Sequence, residues 1–257
     1  MAIYLLKKSY RLKDLQEIRF RDLWGNHGVF TTMWIFGKSA KILFFENHIK
    51  NLIKSLNVYG IKKNGIKKDI IKIINTNLSK NTTYNHLLRI ALSKSTISIS
   101  LRKKILPKLD FDLKLINLKR EKPEYKNLRY KKILSYLSKM NNSKSDIGLI
   151  YKKKILESGT SNLLFIKDKK VFAPKKYYYE GNTYKFFKSK IKKIIKKDIS
   201  IEELKEYDEI ILVGSGKGVA SVKRIKQIGW KRKNLDHYKI FSKYFRSAIN
   251  KCNLYKF

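Results

Sequence analysis

A short segment in the second half of the chain, residues 157–162, constrains the fold more than any other. Glu157 is followed by Ser158-Gly159-Thr160-Ser161-Asn162 and then by the apolar run 163–166. Gly, Ser and Asn are common turn formers, so the segment predicts a turn that leads into a buried strand. The acid at the mouth of that strand suits contact with the ring nitrogen of a heterocyclic cofactor. The segment alone is equally compatible with an ordinary turn.

Length and composition predict a folded protein without disulfides or metal. The 257 residues, 43% of them hydrophobic, can bury one large core or two small ones. Cys252 is the only cysteine, and the four histidines show no metal-ligand spacing. No apolar run reaches eighteen residues, and the charges of residues 1–8 follow the apolar positions, the reverse of a signal peptide. These features predict a cytoplasmic protein with no metal and no membrane partner.

The net charge of +40 arises from 60 Lys and Arg residues against 20 acids. Such a surface should attract polyanions non-specifically. The excess is mostly lysine, spread evenly and accompanied by abundant Ile, Asn, Tyr and Phe, whose codons are AT-rich. No zinc finger, aromatic RNA-binding box or Arg-rich tail is present. The charge is therefore explained by composition, and we expect no specific nucleic-acid partner.

The first half of the chain shows an α+β pattern. Residues 28–36 and 40–45 predict a β-hairpin, and a helix should follow, capped by Asn47 and ended by Gly60. Residues 66–78 repeat the helical spacing, whereas residues 86–92 and 96–101 return to strand character. Phe30, Trp34 and Phe36 would leave apolar hairpin surface for a partner to cover.

The second half predicts a strand-rich domain. The polar, proline-containing segment 119–124 is the best linker candidate. Strands are predicted at 146–151, 162–168, 170–173 and 208–213, helices at 182–197 and 236–250, and a capping box at 200–203. We therefore expect a small N-terminal α/β domain over 1–118, an interdomain linker over 119–130 and a C-terminal domain over 131–257.

Two glycine-containing segments in that domain predict anion binding. Gly181-Asn182-Thr183 opens a helix, where backbone N–H groups and the helix dipole favour a phosphate. Residues 214–218 (Gly-Ser-Gly-Lys-Gly) follow the strand 208–213, and their glycines allow consecutive amides to form an anion-binding nest. The spacing does not match a P-loop, because residue 211 is isoleucine and no Ser or Thr follows Lys217. Lys217 itself is expected to lie in solvent.

Seven segments in the same order resemble the motifs of the class IV, or fold-type IV, pyridoxal-phosphate enzymes. This family includes branched-chain and D-amino acid aminotransferases and aminodeoxychorismate lyase. The resemblance covers nearly the whole chain, and seven motifs in one order are hard to obtain by chance. They are the hairpin 28–33, the helix 46–52, Arg89, the segment 132–137, the signature 157–163, residues 171–174 with Gly181-Asn182-Thr183, and the strand with its phosphate turn at 208–216.

The resemblance implies a two-domain α+β fold, the cofactor pyridoxal 5′-phosphate and roles for individual residues. The catalytic lysine falls on Lys132, rather than Lys131, and should be desolvated so that it can lose its proton. Glu157 should contact the pyridine nitrogen. The remaining cofactor-binding positions are Asn162, Asn182, Thr183, Ser215, Gly216 and Asn51, and the substrate-binding positions are Arg89, Phe30, Thr32 and Trp34. The family also implies a homodimer.

The departures from the family pattern leave three functions open. Asn51 and Tyr184 stand where members carry arginines, and Trp34 stands where branched-chain aminotransferases carry another. The leading hypothesis is an aminotransferase that moves an amino group between a small amino acid, branched-chain ones included, and a 2-oxo acid. The alternatives are aminodeoxychorismate lyase, favoured by the short chain, and a degenerate fold that acts as a basic binding protein.

Overall fold

The computed structural model describes residues 3–257, so Met1 and Ala2 of the N-terminal segment lie outside the described residues. The fold is α+β, as predicted. The chain divides into two compact units. The first unit contains the chain up to Lys104 together with Tyr125–Lys131 and Lys251–Phe257, and the second contains Ile105–Glu124 and Lys132–Asn250.

The first unit is a six-stranded sheet with two helices on one face. Strand order is β2-β1-β6-β5-β3-β4. Alternate residues of β3 and β5, including Met33, Ile35 and Leu88, are buried in one core with Leu52 of α1 and Ile70 of α2. The elements are β1 (Tyr4–Arg11), β2 (Glu17–Ile18), β3 (Gly28–Gly37), β4 (Lys41–Ile42), α1 (Phe45–Val58), α2 (Ile66–Asn77), β5 (Tyr84–Ser93) and β6 (Thr96–Lys103).

The predicted hairpin and both predicted helices of this unit are confirmed, but the predicted cap of the first helix is wrong. β3 pairs with β4 through Ile35 and Ile42. α1 begins at Phe45, with Phe44 as its N-cap residue at φ 57°, so Asn47 lies inside the helix. The ring of Phe45 packs edge-on against Tyr255 at 5.0 Å, and this contact is made from the first helical turn.

The second unit is built on a nine-stranded sheet. Its order is β12-β11-β10-β13-β14-β7-β8-β9, and β15 pairs with β14. Its core includes Phe111, Leu163, Phe165, Leu212 and Trp230. The elements are β7 (Phe111–Asn117), α3 (Lys131–Leu137, whose first residue belongs to the first unit), β8 (Ser145–Tyr151), β9 (Lys154–Ser158), β10 (Asn162–Lys167), β11 (Lys170–Pro174), α4 (Asn182–Lys190), β12 (Ile194–Lys197), β13 (Glu209–Gly214), β14 (Gly218–Ile225), β15 (Trp230–Lys231) and α5 (Asp236–Asn250).

Two parts of this unit differ from the sequence prediction. The sequence predicts that residues 105–118 belong to the first domain, whereas β7 pairs in parallel with both β8 and β14 of the second unit. The predicted helix 182–197 ends at Lys190, because Ile194 and Ile195 join the sheet beside Val171 and Phe172 of β11. A parallel pairing of this kind leaves no local signal in the sequence.

Both predicted helix starts near the end of the chain are supported by hydrogen bonds. Ser200 and Glu203 form the expected reciprocal capping box, with bonds of 3.1 and 2.8 Å, although the helix it opens is a 3-10 turn over Glu202–Glu206. α5 spans the predicted residues. The buried carboxylate of Glu209 accepts hydrogen bonds from the amides of His237 and Tyr238 in its first turn.

Two hairpins of the second unit turn on residues with left-handed backbone. Lys152 and Lys153 connect β8 to β9 at φ 48° and 58°, and Asp168 and Lys169 connect β10 to β11 at φ 50° and 58°. Two-residue turns of this hand match the twist of the strands, but Asn-Gly is the favoured sequence for them. Over residues 3–257, no helix is both long enough and apolar enough to cross a membrane.

Candidate active site

Glu157 lies near the end of β9 as a buried acid with a buried arginine partner. Its side chain is 6% exposed and that of Arg120 is 3% exposed. Arg120 Nε donates to Glu157 Oε1 at 2.5 Å and Nη2 donates to Oε2 at 3.0 Å, a bidentate pairing that stabilises the ionised carboxylate. The amide of Tyr179 is 3.4 Å from Oε2. The acid is thus fixed in position by the protein itself.

Sequence reasoning missed Arg120, which falls in the segment predicted to be a linker. Arg120 Nη2 also donates to the carbonyl of Pro123 at 2.6 Å, so the segment folds around the guanidinium. The only available signal was an arginine in a chain whose cations are mostly lysine. Lysine cannot form the two parallel hydrogen bonds that a carboxylate accepts from arginine.

The turn after Glu157 is held by a second buried acid, Asp146. Its Oδ2 accepts hydrogen bonds from the hydroxyls of Ser158 at 3.1 Å and Thr160 at 2.7 Å. Its Oδ1 accepts from the amide of Ile147 at 2.8 Å. Asp146 is fully buried, and these donors satisfy it. The predicted turn is therefore confirmed, with an anchor that the sequence did not reveal.

Asn162 joins this turn to the start of α4. Its Nδ2 donates to the carbonyl of Tyr179 at 2.6 Å, and its Oδ1 accepts from the amide of Gly181 at 3.1 Å. The structure therefore brings Glu157, Asn162 and the residues around Gly181 together. An asparagine at this position fixes both neighbouring segments because its amide offers a donor and an acceptor at once.

The first turn of α4 contains buried hydroxyl groups without a partner. Asn182 and Thr183 are 5% and 0% exposed. Within the part of the chain that the structure describes, Thr183 Oγ1 and Tyr184 Oη have no hydrogen bond. Burial raises the pKa of Tyr184, which keeps its hydroxyl a donor. Since the first amides of a helix also lack intrahelical acceptors, this end of α4 fits an anion such as a phosphate.

The turn between β13 and β14 lies beside the turn that follows Glu157. A Cβ added at Gly214 would come within 2.8 Å of Ser161 Oγ, so a larger residue there would displace the Ser161 side chain. Ser215 and Gly216 are half-buried at the tip of the turn. Anion binding by their backbone amides stays a prediction from the sequence.

The expectation that Lys217 lies in solvent is wrong. Its side chain is 9% exposed, and its Nζ lies 3.7 Å from Asp146 Oδ2, 3.4 Å from the carbonyl of Asn142 and 4.9 Å from the centre of the Phe111 ring. A buried acid and an aromatic face together stabilise the buried ammonium. Lys217 therefore connects the tip of one turn to the anchor of the other.

Lys132 lies in the first turn of α3 with an exposed side chain. The expected desolvation of this lysine is not found in the chain itself. Lys131 is also exposed, but the aliphatic part of its side chain lies across Gly25. A Cβ added at that glycine would be 2.5 Å from Lys131 Cε. The two neighbouring lysines therefore differ in their surroundings.

The candidate substrate residues of the first unit lie on the sheet face opposite the helices. Arg89 Nη2 donates to the carbonyl of Asp22 at 3.0 Å, and its guanidinium stacks over Trp24 at 4.4 Å. Burial lowers the pKa of Arg89 to about 10, so it remains a cation at neutral pH. Thr32 is its cross-strand neighbour.

The aromatic candidates are more covered than predicted. Phe30 is 5% exposed and packs edge-on against Trp24 and Tyr130. Trp34 is half-buried, and its Nε1 donates to Asn85 Oδ1 at 3.1 Å. Asn51, where the family pattern has an arginine, is half-buried on α1, and its carbonyl accepts from Ser55 Oγ at 2.9 Å.

Comparison with known proteins agrees with this fold. Residues 28–225 match the family model of the class IV amino-transferases. Similar solved structures include the branched-chain aminotransferase of Thermoproteus uzoniensis with norvaline, at 16% identity, 95% coverage of both chains and a TM-score of 0.78. No curated protein matches the sequence.

Two other similar structures have different descriptions. A hypothetical aminotransferase from Mycobacterium tuberculosis in its PLP-bound form is 14% identical, with 95% and 99% of the two chains covered and a TM-score of 0.70. A putative 4-amino-4-deoxychorismate lyase from Legionella pneumophila is 15% identical, with 92% and 98% covered and a TM-score of 0.71. At these identities the likeness shows the fold, and the family-model match over residues 28–225 shows that the chain belongs to the class IV aminotransferases.

Proposed function

We propose that this protein is a pyridoxal-phosphate-dependent aminotransferase that transfers an amino group between an amino acid and a 2-oxo acid. The observation that supports this most is the buried Glu157–Arg120 pair, joined through Tyr179 and Asn162 to an anion-binding helix start with an unpartnered Thr183 hydroxyl. A ring nitrogen and a phosphate are the two groups that such a pair of sites would hold.

The residues present fit this cofactor. Pyridoxal phosphate, when bound, supplies an aldehyde that takes the amino group and a ring that accepts electrons from the substrate Cα–H bond. Glu157, held by its bidentate pairing with Arg120, would accept a hydrogen bond from the ring N–H. The phosphate would be held by Thr183 Oγ1, by the first backbone amides of α4 and by the amides of Ser215 and Gly216. Asn182 lies in the same first turn of α4.

Lys132 is the residue to which we assign covalent cofactor binding and proton transfer at the substrate Cα. Arg89 would bind the substrate carboxylate, with Phe30, Thr32 and Trp34 beside it on the same sheet face. Reductive trapping with borohydride followed by peptide mapping tests the lysine. A pyridoxyl group on Lys132 is expected. Its appearance on Lys131, or on neither lysine, would reject the assignment.

The function is tested with the purified full chain and added pyridoxal phosphate. We expect a new visible absorption band that shifts when an amino-acid donor is added and returns when a 2-oxo acid follows. Glu157→Gln should bind the cofactor but lose at least tenfold in the rate of that shift, since an amide does not keep the ring protonated. Asp198→Asn, at a half-buried acid that pairs with Lys154 outside the proposed site, is the control. Absence of the band at millimolar cofactor contradicts the proposal.

A lyase reaction is the second candidate, supported by the structural likeness to the Legionella protein over 92% of the chain. Both reactions would use Lys132 and Glu157, so these residues do not separate them. Release of pyruvate from an aminochorismate, measured with a coupled dehydrogenase, would identify the lyase. Amino transfer to a 2-oxo acid without pyruvate release would identify the aminotransferase.

We also propose a homodimer, as in the family resemblance. Phe30, predicted to face a partner, is covered within its own unit, whereas Trp34 and Phe36 are half-buried and stack at 4.6 Å. Light scattering at micromolar concentration should give twice the mass of 30.4 kDa. A monomer under those conditions would reject this proposal.

A further inference from the structure

Lys196 of β12 is a half-buried cation enclosed by residues that lead into α4. Its Nζ donates to Glu180 Oε1 at 3.0 Å, and the two side chains are 28% and 36% exposed. The same ammonium lies 4.5 Å from the ring centre of Tyr178 and 4.7 Å from that of Tyr184. Burial lowers the pKa of Lys196 to about 8, so the cation still predominates at neutral pH. An acid and two aromatic rings therefore hold this charge in one place.

These contacts fix the chain at the residue just before the N-cap of α4. Glu180 Oε1 also accepts a hydrogen bond from Tyr178 Oη at 3.2 Å. The next residue, Gly181, is the N-cap residue and has no side chain with which to cap the helix. Its amide donates to Asn162 Oδ1 at 3.1 Å. The start of α4 is thus held from β12 through Lys196 and from β10 through Asn162.

The sheet gives Lys196 a firm base. In the parallel pairing of β12 with β11, Lys196 aligns with Ala173 at the edge of the nine-stranded sheet. Successive residues of a strand point to opposite faces, and Lys197 pairs instead with Glu203 at 2.5 Å. Of these two adjacent lysines, Lys196 contacts the segment before α4 and Lys197 contacts the 3-10 turn.

The phosphate proposed to bind at α4 depends on the direction of this helix start. Thr183 Oγ1 is buried without a hydrogen bond among residues 3–257, and the first amides of a helix lack intrahelical acceptors. Donors that converge on one ligand must be held to within about 0.5 Å, and this precision comes from supporting contacts behind them. Lys196, Glu180 and Tyr178 form such a support.

We propose that Lys196 is a positioning residue for the cofactor phosphate: by holding Glu180, it orients the amides and the Thr183 hydroxyl at the start of α4. This inference rests on the proposed function, because it concerns the phosphate of the same cofactor. Lys196 acts through Glu180 and not through its own charge. Loss of the contact should therefore weaken a ligand that carries the phosphate and spare one that lacks it.

The test compares two ligands on the cofactor-free full chain. Pyridoxal phosphate carries the phosphate, whereas pyridoxal has the same ring and aldehyde without it. In absorbance titrations, Lys196→Met should raise the Kd for pyridoxal phosphate about tenfold and leave that for pyridoxal unchanged. Lys196→Arg, which can still donate to Glu180, should keep both values close to those of the unchanged chain. Lys197→Met, which removes the neighbouring pair with Glu203, should alter neither.

The variant Glu180→Met separates positioning from a direct effect of charge. If Lys196 acts through Glu180, this variant should weaken pyridoxal phosphate as Lys196→Met does. If the ammonium attracted the phosphate directly, removal of the acid would strengthen binding, because a negative charge near the anion is lost. A lower Kd in Glu180→Met would therefore overturn the inference. The same variant decides the question where Lys196→Met does not fold.

The outcomes separate this inference from the proposed function. If the enzyme transfers amino groups and Lys196→Met weakens neither ligand, or both alike, only the positioning role is rejected. If amino transfer is absent but the affinity for pyridoxal phosphate still depends on Lys196, the positioning role stands and the proposed function falls. A chain that binds pyridoxal as tightly as pyridoxal phosphate makes no use of the phosphate, and this result rejects the positioning role. Binding of neither ligand rejects both.

Discussion

The turn that holds Glu157 and the first turn of α4 are neighbours, but they differ in whether their buried polar groups have hydrogen-bond partners. In the former, Arg120 and Asp146 satisfy the buried acids and hydroxyls within the protein. In the latter, Thr183 Oγ1 and Tyr184 Oη are buried without a partner among the described residues. The first arrangement is complete before any ligand arrives, whereas the second has donors left for one. The difference predicts which substitutions affect folding and which affect binding.

Breaking the Arg120–Glu157 pair should have the largest effect. Arg120→Met leaves Glu157 as a buried, uncompensated charge, which costs about 3–5 kcal/mol of unfolding free energy. Urea denaturation of the cofactor-free protein measures this. Arg224→Met, which removes a more exposed pair with Asp112, should cost about 1 kcal/mol or less. Equal losses in the two variants would show that the buried pair is not special.

Removing the unpartnered hydroxyl should affect binding instead of folding. Thr183→Val keeps the shape of the side chain, so the cofactor-free protein should keep its stability. Affinity for pyridoxal phosphate should fall by about 1.5–3 kcal/mol, roughly ten- to a hundredfold, because a hydrogen bond to a charged group is lost. Ser189→Ala, on the exposed side of α4, is the control for titration by absorbance. A large loss of stability in Thr183→Val would overturn the contrast between the two turns.

The turn at 214–218 allows a comparison of backbone amides with a charged side chain in binding of the phosphate. Gly216→Val should weaken cofactor retention more than Lys217→Ala, because it blocks the approach of the backbone. Burial of Lys217 beside Asp146 adds a second expectation: Lys217→Ala should also lower unfolding free energy by about 1–3 kcal/mol. If Lys217→Ala were the more damaging change for cofactor titration, the turn would act through its charge.

A buried histidine, His48, gives an effect that is absent at neutral pH and appears only on acidification. His48 is bonded to Thr31 Oγ1 at 2.8 Å, and burial lowers its pKa from 6.5 to about 3. Below pH 6.5 the unfolded chain takes up a proton that the folded chain refuses, so stability falls as pH falls from 6.5 towards 3. The slope is at most about 1.4 kcal/mol per pH unit. His48→Gln should flatten this part of a stability-against-pH curve, measured by urea denaturation at a series of pH values.

Local patterns in the sequence predicted much of the fold but few of the buried contacts that hold the site residues in place. The helix 236–250 and the strands of the first hairpin follow from periodicity, and the acid at 157 with its turn follows from residue type. Arg120 was not predictable, because it meets an acid 37 positions away across a segment without periodicity. The burial of Lys217 was hidden for the same reason: its partner Asp146 is far away in the chain.

The hairpin turns at residues 152–153 and 168–169 show where the lysine-rich composition affects the fold. A lysine-rich composition places lysine at many surface positions. Lys152, Lys153 and Lys169 have positive φ, a backbone conformation that is unfavourable for residues with a Cβ. Each such residue stores about 1 kcal/mol of backbone strain. Replacing Lys152-Lys153 with Asn-Gly should therefore raise the free energy of unfolding without changing any proposed binding residue. The strain that the lysine-rich composition introduces therefore lies in these turns, where single substitutions can remove it.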